Sequence, residues 1–133
     1  MNARAPQADV AIPPGLRILV VEDEMMLAMM LADFLKAYDC TPIMAARVEN
    51  ALQLVATTAF DVALLDVNVA GEAVYPVAQE LDRRRIPFVF VTGYTDQGMD
   101  ADYRNRPALT KPFSTAALGQ ALADALASRG STG

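Results

Sequence analysis

Residues 61–68, Asp61-Val62-Ala63-Leu64-Leu65-Asp66-Val67-Asn68, decide how the rest of the chain is read. Four apolar residues follow one another without the polar alternation of a half-exposed strand, and an aspartate ends the run. A strand covered by helices on both faces has this pattern, because neither face meets water. A second run, PFVFVT, ends on Thr92. Working outward, RILVV, TPIMAA and PALT supply three more short β-prone segments.

Helical patterns separate them: EMMLAMMLADFLKAY, VENALQLVATT, GEAVYPVAQELDRR, a weak TDQGMDADYRNRP and STAALGQALADALAS. Five strand-helix units predict an α/β fold. Parallel neighbours need crossover connections, which puts helices on both faces of the sheet. The fourth helix is expected to be short or mobile, since Gly98 interrupts it and Pro107 ends it. Ser114 is the predicted cap of the last helix, whose Leu118, Leu122 and Leu126 face the core.

With 133 residues the chain fits one domain. The expected division is a flexible leader over 1–15, a folded domain over 16–128 and a flexible tail over 129–133. No apolar run is long enough to cross a bilayer and the start lacks the apolar centre of a secretory signal, so a cytoplasmic, non-membrane protein is expected. One cysteine, Cys40, cannot close an internal disulfide, and the absence of histidine removes histidine-based catalysis and the usual zinc sites. A net charge of −5 opposes nucleic-acid binding. Arg83-Arg84-Arg85 reads as a solvated helix end, where cations complement the macrodipole.

In an open parallel sheet, ligands bind beyond the carboxyl ends of the strands. Glu22-Asp23-Glu24, Asp66, Thr92 and Lys111 all end strands on that edge. Singly each has an ordinary explanation: acids at a helix start, an aspartate turn, a strand-end hydroxyl, a surface cation. Together they converge from four strands. Crowded carboxylates repel by on the order of 4 kcal/mol per pair at an effective dielectric of about 20, so they call for a cation. Mg2+ suits such hard oxygen ligands, with Mn2+ as the alternative. Asp66 is then a nucleophile toward a phosphoryl group, Lys111 pairs with a phosphoryl oxygen, and the Thr92 hydroxyl takes another.

In order, VVEDE, LLDVN, FVTGY and LTKPF resemble the receiver domain of two-component response regulators over nearly the whole chain after the leader. The resemblance implies a flavodoxin-like doubly wound sheet of order 2-1-3-4-5. It implies that Asp66 is the phosphoacceptor, that Asp23 is a direct metal ligand, that Glu22 contacts the metal through water and that Asn68 offers its backbone carbonyl. Thr92 and Lys111 become the pair that senses and holds the phosphoryl group, and the Lys111–Pro112 peptide is expected to be cis. Such a protein is a phosphoacceptor and not a turnover enzyme. Its partners would be a sensor histidine kinase or histidine phosphotransfer protein, and it would act through protein contacts or as a phosphate sink.

Two positions depart from the family pattern. Val69-Ala70-Gly71-Glu72 replaces the usual proline after the acceptor, and Ala108 replaces the aromatic switch. The chain is similar instead to the "FAT GUY" subclass, often stand-alone receivers. Tyr94 is then either a shield or substitute switch, or a packed loop aromatic.

The first helix is apolar nearly all round. Leu27, Met30, Leu31, Phe34 and Leu35 form the expected inward stripe, while Met25, Ala28, Met29 and Ala32 fall outward, where Met25 and Met29 suit a partner helix. The alternative is a helix that is merely greasy. The alanines of the last helix permit a homodimer without requiring one. Rival readings are an aspartate-nucleophile phosphatase, which normally has a second aspartate where Asn68 stands, and a degenerate receiver used only for interaction.

Overall fold

The computed structural model describes residues 12–93, 103 and 105–131. Strands β1 (Arg17–Val21), β2 (Thr41–Ala45), β3 (Val62–Asp66), β6 (Phe88–Thr92) and β7 (Ala108–Thr110) form one parallel sheet in the order β2-β1-β3-β6-β7. These five strands, counted in chain order, give the expected 2-1-3-4-5 arrangement, the flavodoxin-like fold. Helices α1 (Met25–Ala37), α2 (Val48–Thr57), α3 (Tyr75–Arg83) and α4 (Thr115–Ser131) cover it.

Alternation along each strand divides the interior in two. Ile18, Val20, Val62, Leu64 and Val89 face one way, against Leu31 and Leu35 of α1 and Leu118, Leu122 and Ala125 of α4. Leu19, Val21, Ala63, Leu65 and Phe90 face the other, against Val48, Ala51 and Val55 of α2 and Val77, Ala78 and Leu81 of α3. Both faces of β3 are therefore dry, which is why its sequence shows no polar alternation.

Ser114 caps α4, its hydroxyl accepting from the Ala117 N–H at 3.0 Å. At the end of α3, Arg84 donates to Glu80 at 2.7 Å and Arg83 pairs with the same carboxylate. Arg85 closes the helix in the left-handed region at φ 60°. Cys40 is buried.

Several elements differ from the sequence reading. Residues 12–15, inside the stretch read as leader, are held to the fold: Ile12 is buried with Leu16 in the α1–α4 core, and the Gly15 N–H donates to the Asp39 carbonyl at 2.8 Å. At the other end α4 runs through Ser131, past residue 128. Helix α3 starts at Tyr75 and not at Gly71, because residues 68–73 form a small hairpin of β4 (Asn68–Val69) and β5 (Glu72–Ala73). Its turn places Ala70 at φ 50° and Gly71 at φ 85°, the pair of left-handed residues that suits a two-residue hairpin. Met30 is 41% exposed and leaves the inward stripe, while Leu27 and Phe34 are partly buried. The weak fourth helical segment lies mostly outside the described residues, as does Tyr94, although Tyr103 within that segment is buried and stacks on Tyr75 at 5.2 Å. Among the described residues, no helix is long and apolar enough to cross a membrane.

Candidate functional site

Parallel strands end together, so the residues following β1, β3, β6 and β7 gather at one edge. Glu22 leaves β1 with its N–H bonded to the Ala45 carbonyl of β2 at 3.0 Å, and this continuation of the ladder keeps its side chain inside; the residue is 4% exposed. The Glu24 N–H donates to Glu22 Oε2 at 3.0 Å. Asp66, the last residue of β3, is 6% exposed, and its Oδ1 accepts from the Asn68 N–H at 3.4 Å. Asp23 is exposed, and its Oδ2 accepts from the Ala70 N–H at 3.1 Å. One oxygen from each of Glu22, Asp23 and Asp66 lies within 4.8 Å of the others.

Lys111 reaches this cluster from the end of β7. Its backbone N–H donates to the Thr92 carbonyl at 2.7 Å, which fixes the loop to the end of β6, and its peptide to Pro112 is cis, as the resemblance implied. The ammonium lies 3.4 Å from Asp66 Oδ2 and 3.6 Å from Glu22 Oε1. The longer contact is an ion pair and not a hydrogen bond, which leaves Glu22 Oε1 buried with no hydrogen-bond partner.

The charges at this edge are only partly compensated. Burial, with Asp66 adding to it, pushes the Glu22 carboxyl up to about 7 against the pull of the Glu24 N–H and Lys111. Burial also raises Asp66, although Lys111 and the Asn68 N–H oppose it. For Lys111, burial works against the ammonium, and the charges of Asp66 and Glu22 outweigh it, so its pKa lies above the usual lysine value. One ammonium is shared by the two buried carboxylates, Glu22 and Asp66.

This donor set fits a hard divalent cation. All the candidate ligands are oxygens, Glu22 Oε1 lacks a hydrogen-bond partner, and an approaching cation would relieve the desolvated carboxylates. Glu22, Asp23 and Asp66 are brought together as the sequence suggested. The Asn68 N–H bonds to Asp66, while Thr92, half-buried at the end of β6, stands beside the Lys111 loop.

Met25 and Met29 line an apolar groove of 340 Å³ with Glu22, Asp23 and Met44. A larger groove of 730 Å³ runs along the other side of α1, lined by Met26, Leu27, Met30, Lys111, Pro112 and Phe113. Sequence reasoning missed Met26 and this second groove, because a helical wheel does not show what the loop after β7 contributes. It also missed the Ala70 N–H; the adjacent Gly71 was the available signal for a left-handed turn.

The family model described as response regulator receiver domain matches residues 18–123. Among solved structures, SdrG from Sphingomonas melonis Fr1 is 44% identical, with a TM-score of 0.77 over 86% of this chain and 99% of that one. The receiver domain of the response regulator PhyR from Erythrobacter litoralis is 25% identical, with a TM-score of 0.74 over 85% and 91% of the two chains. A likeness in fold extends to the receiver domain of a sensor histidine kinase from Pseudomonas aeruginosa PAO1, described with a magnesium ion in its active site cleft, at 22% identity, a TM-score of 0.75 and coverage of 85% and 98%. No curated protein matches the chain.

Proposed function

The chain belongs to the response regulator receiver family of two-component signalling, and on that premise we propose that it accepts a phosphoryl group on Asp66 from a phosphohistidine donor, with Mg2+ held by Glu22, Asp23, Asp66 and the Asn68 carbonyl. The observation that carries this reading is the buried Glu22 Oε1, which has no hydrogen-bond partner, inside a cluster of three carboxylates of which Glu22 and Asp66 share the Lys111 ammonium.

When bound, the ion neutralises phosphoryl oxygens that would otherwise be repelled by the carboxylates. The chain's own groups do the rest. An Asp66 carboxylate oxygen attacks phosphorus in line, the P–N bond of the donor breaks, and the imidazole leaves with the electron pair. Lys111 Nζ, already 3.4 Å from Asp66, shifts its pairing to a phosphoryl oxygen. The Thr92 hydroxyl and backbone N–H groups beyond Asp66 and Thr92 hold the remaining oxygens. Asn68 stands where a hydrolytic aspartate would be needed, so the chain is a stoichiometric acceptor rather than a phosphatase. Repeated turnover of p-nitrophenyl phosphate would contradict that.

The donor's helix docks along α1, whose grooves reach Lys111 on one side and Glu22 and Asp23 on the other. Met25 and Met29 supply apolar contact there. With Ala108 in place of the switch aromatic, the "FAT GUY" subclass remains our reading of the switch, and the phosphorylated form acts through protein contacts or by draining phosphate, in the cytoplasm. Incubating wild type and Asp66→Asn with Mg2+ and autophosphorylated histidine-kinase domains tests the central step. Label should enter wild type alone, survive acid and be released by base; equal labelling of Asp66→Asn overturns the reading.

A further inference from the structure

Helix α1 sorts its apolar residues by direction. Leu31 and Leu35 are buried and Leu27 is partly so, whereas Met25, Met26, Met29 and Met30 stand 72, 79, 60 and 41% exposed. Leucine and methionine are nearly equal helix formers, so the backbone does not require this division. An exposed leucine would offer a partner much the same apolar area. What methionine adds is a flexible, polarizable thioether that accepts an oxygen atom and thereby turns polar. All four exposed large apolar side chains within the first six residues of α1 carry that group, and the two grooves they line open onto Lys111 on one side and Glu22 and Asp23 on the other.

We propose that Met25, Met26, Met29 and Met30 form an oxidant-sensitive modification site, at which peroxide-class oxidants turn off docking of the phosphoryl donor without altering the acceptor chemistry. The inference rests on the reading that α1 docks the donor. In the step itself, a sulfur lone pair attacks one oxygen of hydrogen peroxide, the O–O bond breaks, the S–O bond forms, and the departing oxygen leaves as water after proton transfer. Sulfur loses two electrons and peroxide gains them. A sulfoxide reductase using dithiol electrons reverses the change. The new oxygen is a strong acceptor placed on a face whose groove walls are apolar, so closing a partner over it buries an unsatisfied polar group. Glu22, Asp23, Asp66 and Lys111 contain no sulfur and keep their chemistry.

Two donors separate docking from chemistry. Phosphoramidate is small and needs no helix interface; an autophosphorylated kinase domain that labels the untreated chain does. Wild type and a Met→Leu variant at 25, 26, 29 and 30 are each treated with hydrogen peroxide, and each is scored as its treated rate over its own untreated rate. For wild type, peptide mass spectrometry should find added oxygen on these methionines, the phosphoramidate ratio should stay near one, and the kinase ratio should fall by about tenfold or more, the effect of one uncompensated buried polar group. Sulfoxide reductase should restore it, and the leucine variant's kinase ratio should stay near one.

An unchanged kinase ratio in wild type with the sulfoxides present overturns the inference, as does an equal fall in the leucine variant. Untreated Met25→Lys/Met29→Lys separates the premise. Normal kinase labelling of that variant rejects the docking reading itself, whereas lost labelling combined with indifference to peroxide rejects only the redox inference.

Discussion

Within one strand, β3 contains the two kinds of environment that this molecule sets against each other. Val62, Ala63, Leu64 and Leu65 are at most 1% exposed and lie between two helical layers. The next residue, Asp66, is nearly as buried, yet it is surrounded by carboxylates and a lysine. In the first region every contact is complete within the chain. In the second, charge is taken out of water and left partly unbalanced, with one carboxylate oxygen lacking a hydrogen-bond partner. The sheet body is thus built for stability, whereas its carboxyl edge holds uncompensated charge, as a site proposed to take a cation and an anionic phosphoryl group requires.

Breaking the sheet body should have the largest effect. Phe90 is fully buried and packs edge-on against Tyr75, Phe88 and Tyr103. Phe90→Ala should cost about 3–5 kcal/mol in urea or guanidinium unfolding, through lost burial and the cavity left behind. A loss below about 1 kcal/mol would mean that the core relaxes to fill the space, contrary to a close-packed sheet body.

The edge should respond to pH in the opposite sense to an ordinary paired carboxylate. Glu22 titrates at about 7 in the folded chain against 4.5 in the unfolded one. A raised folded value means that its contribution is fully present below the unfolded value and is lost as pH climbs through the folded one. The metal-free protein should therefore be less stable at about pH 8 than at about pH 5, by up to roughly 3 kcal/mol. Asp66, also raised by burial, acts in the same direction. Glu22→Gln removes the titrating charge and should flatten the profile, gaining about 1–2 kcal/mol at about pH 8 while weakening Mg2+ binding. Denaturant melts across pH check both; a wild-type profile that rises with pH between the two values would contradict the burial argument.

Mg2+ sharpens the same contrast. It should stabilise the chain at about pH 8 and much less at about pH 5, where Glu22 is protonated and ligand charge is lost, and calorimetry should record proton release on binding near neutral pH. The smallest effect is expected away from both regions. Ser114→Ala removes the hydroxyl that caps α4 and should cost about 1 kcal/mol, with Mg2+ affinity unchanged.

Much of both regions was legible from single residues. Strand interiors reveal themselves by continuous apolar runs, and the strand-end residues Glu22, Asp23, Asp66 and Lys111 reach one edge because parallel strands must end together. What escaped depends on partners distant in sequence. The burial of Glu22 follows from the bond its N–H makes to Ala45, and periodicity alone cannot reveal that ladder extension. Met30 fits an inward stripe on a wheel, yet it stands beside the Pro112 loop and remains exposed. The hairpin at 68–73 has two residues in each strand, too few to show a period, and its turn puts an alanine in the left-handed region where glycine or asparagine is the usual signal. Ile12, isolated beside two prolines, gave no periodic signal of the core it enters.

The most direct test of the central claim locates the modified atom. The chain is incubated with Mg2+ and phosphoramidate, reduced with sodium borohydride, which converts an aspartyl phosphate to homoserine, and digested for tandem mass spectrometry. Homoserine at position 66, absent when Mg2+ is chelated and absent in Asp66→Asn, is the predicted result. Reduction at another carboxylate, or none in wild type with Mg2+ present, would contradict it.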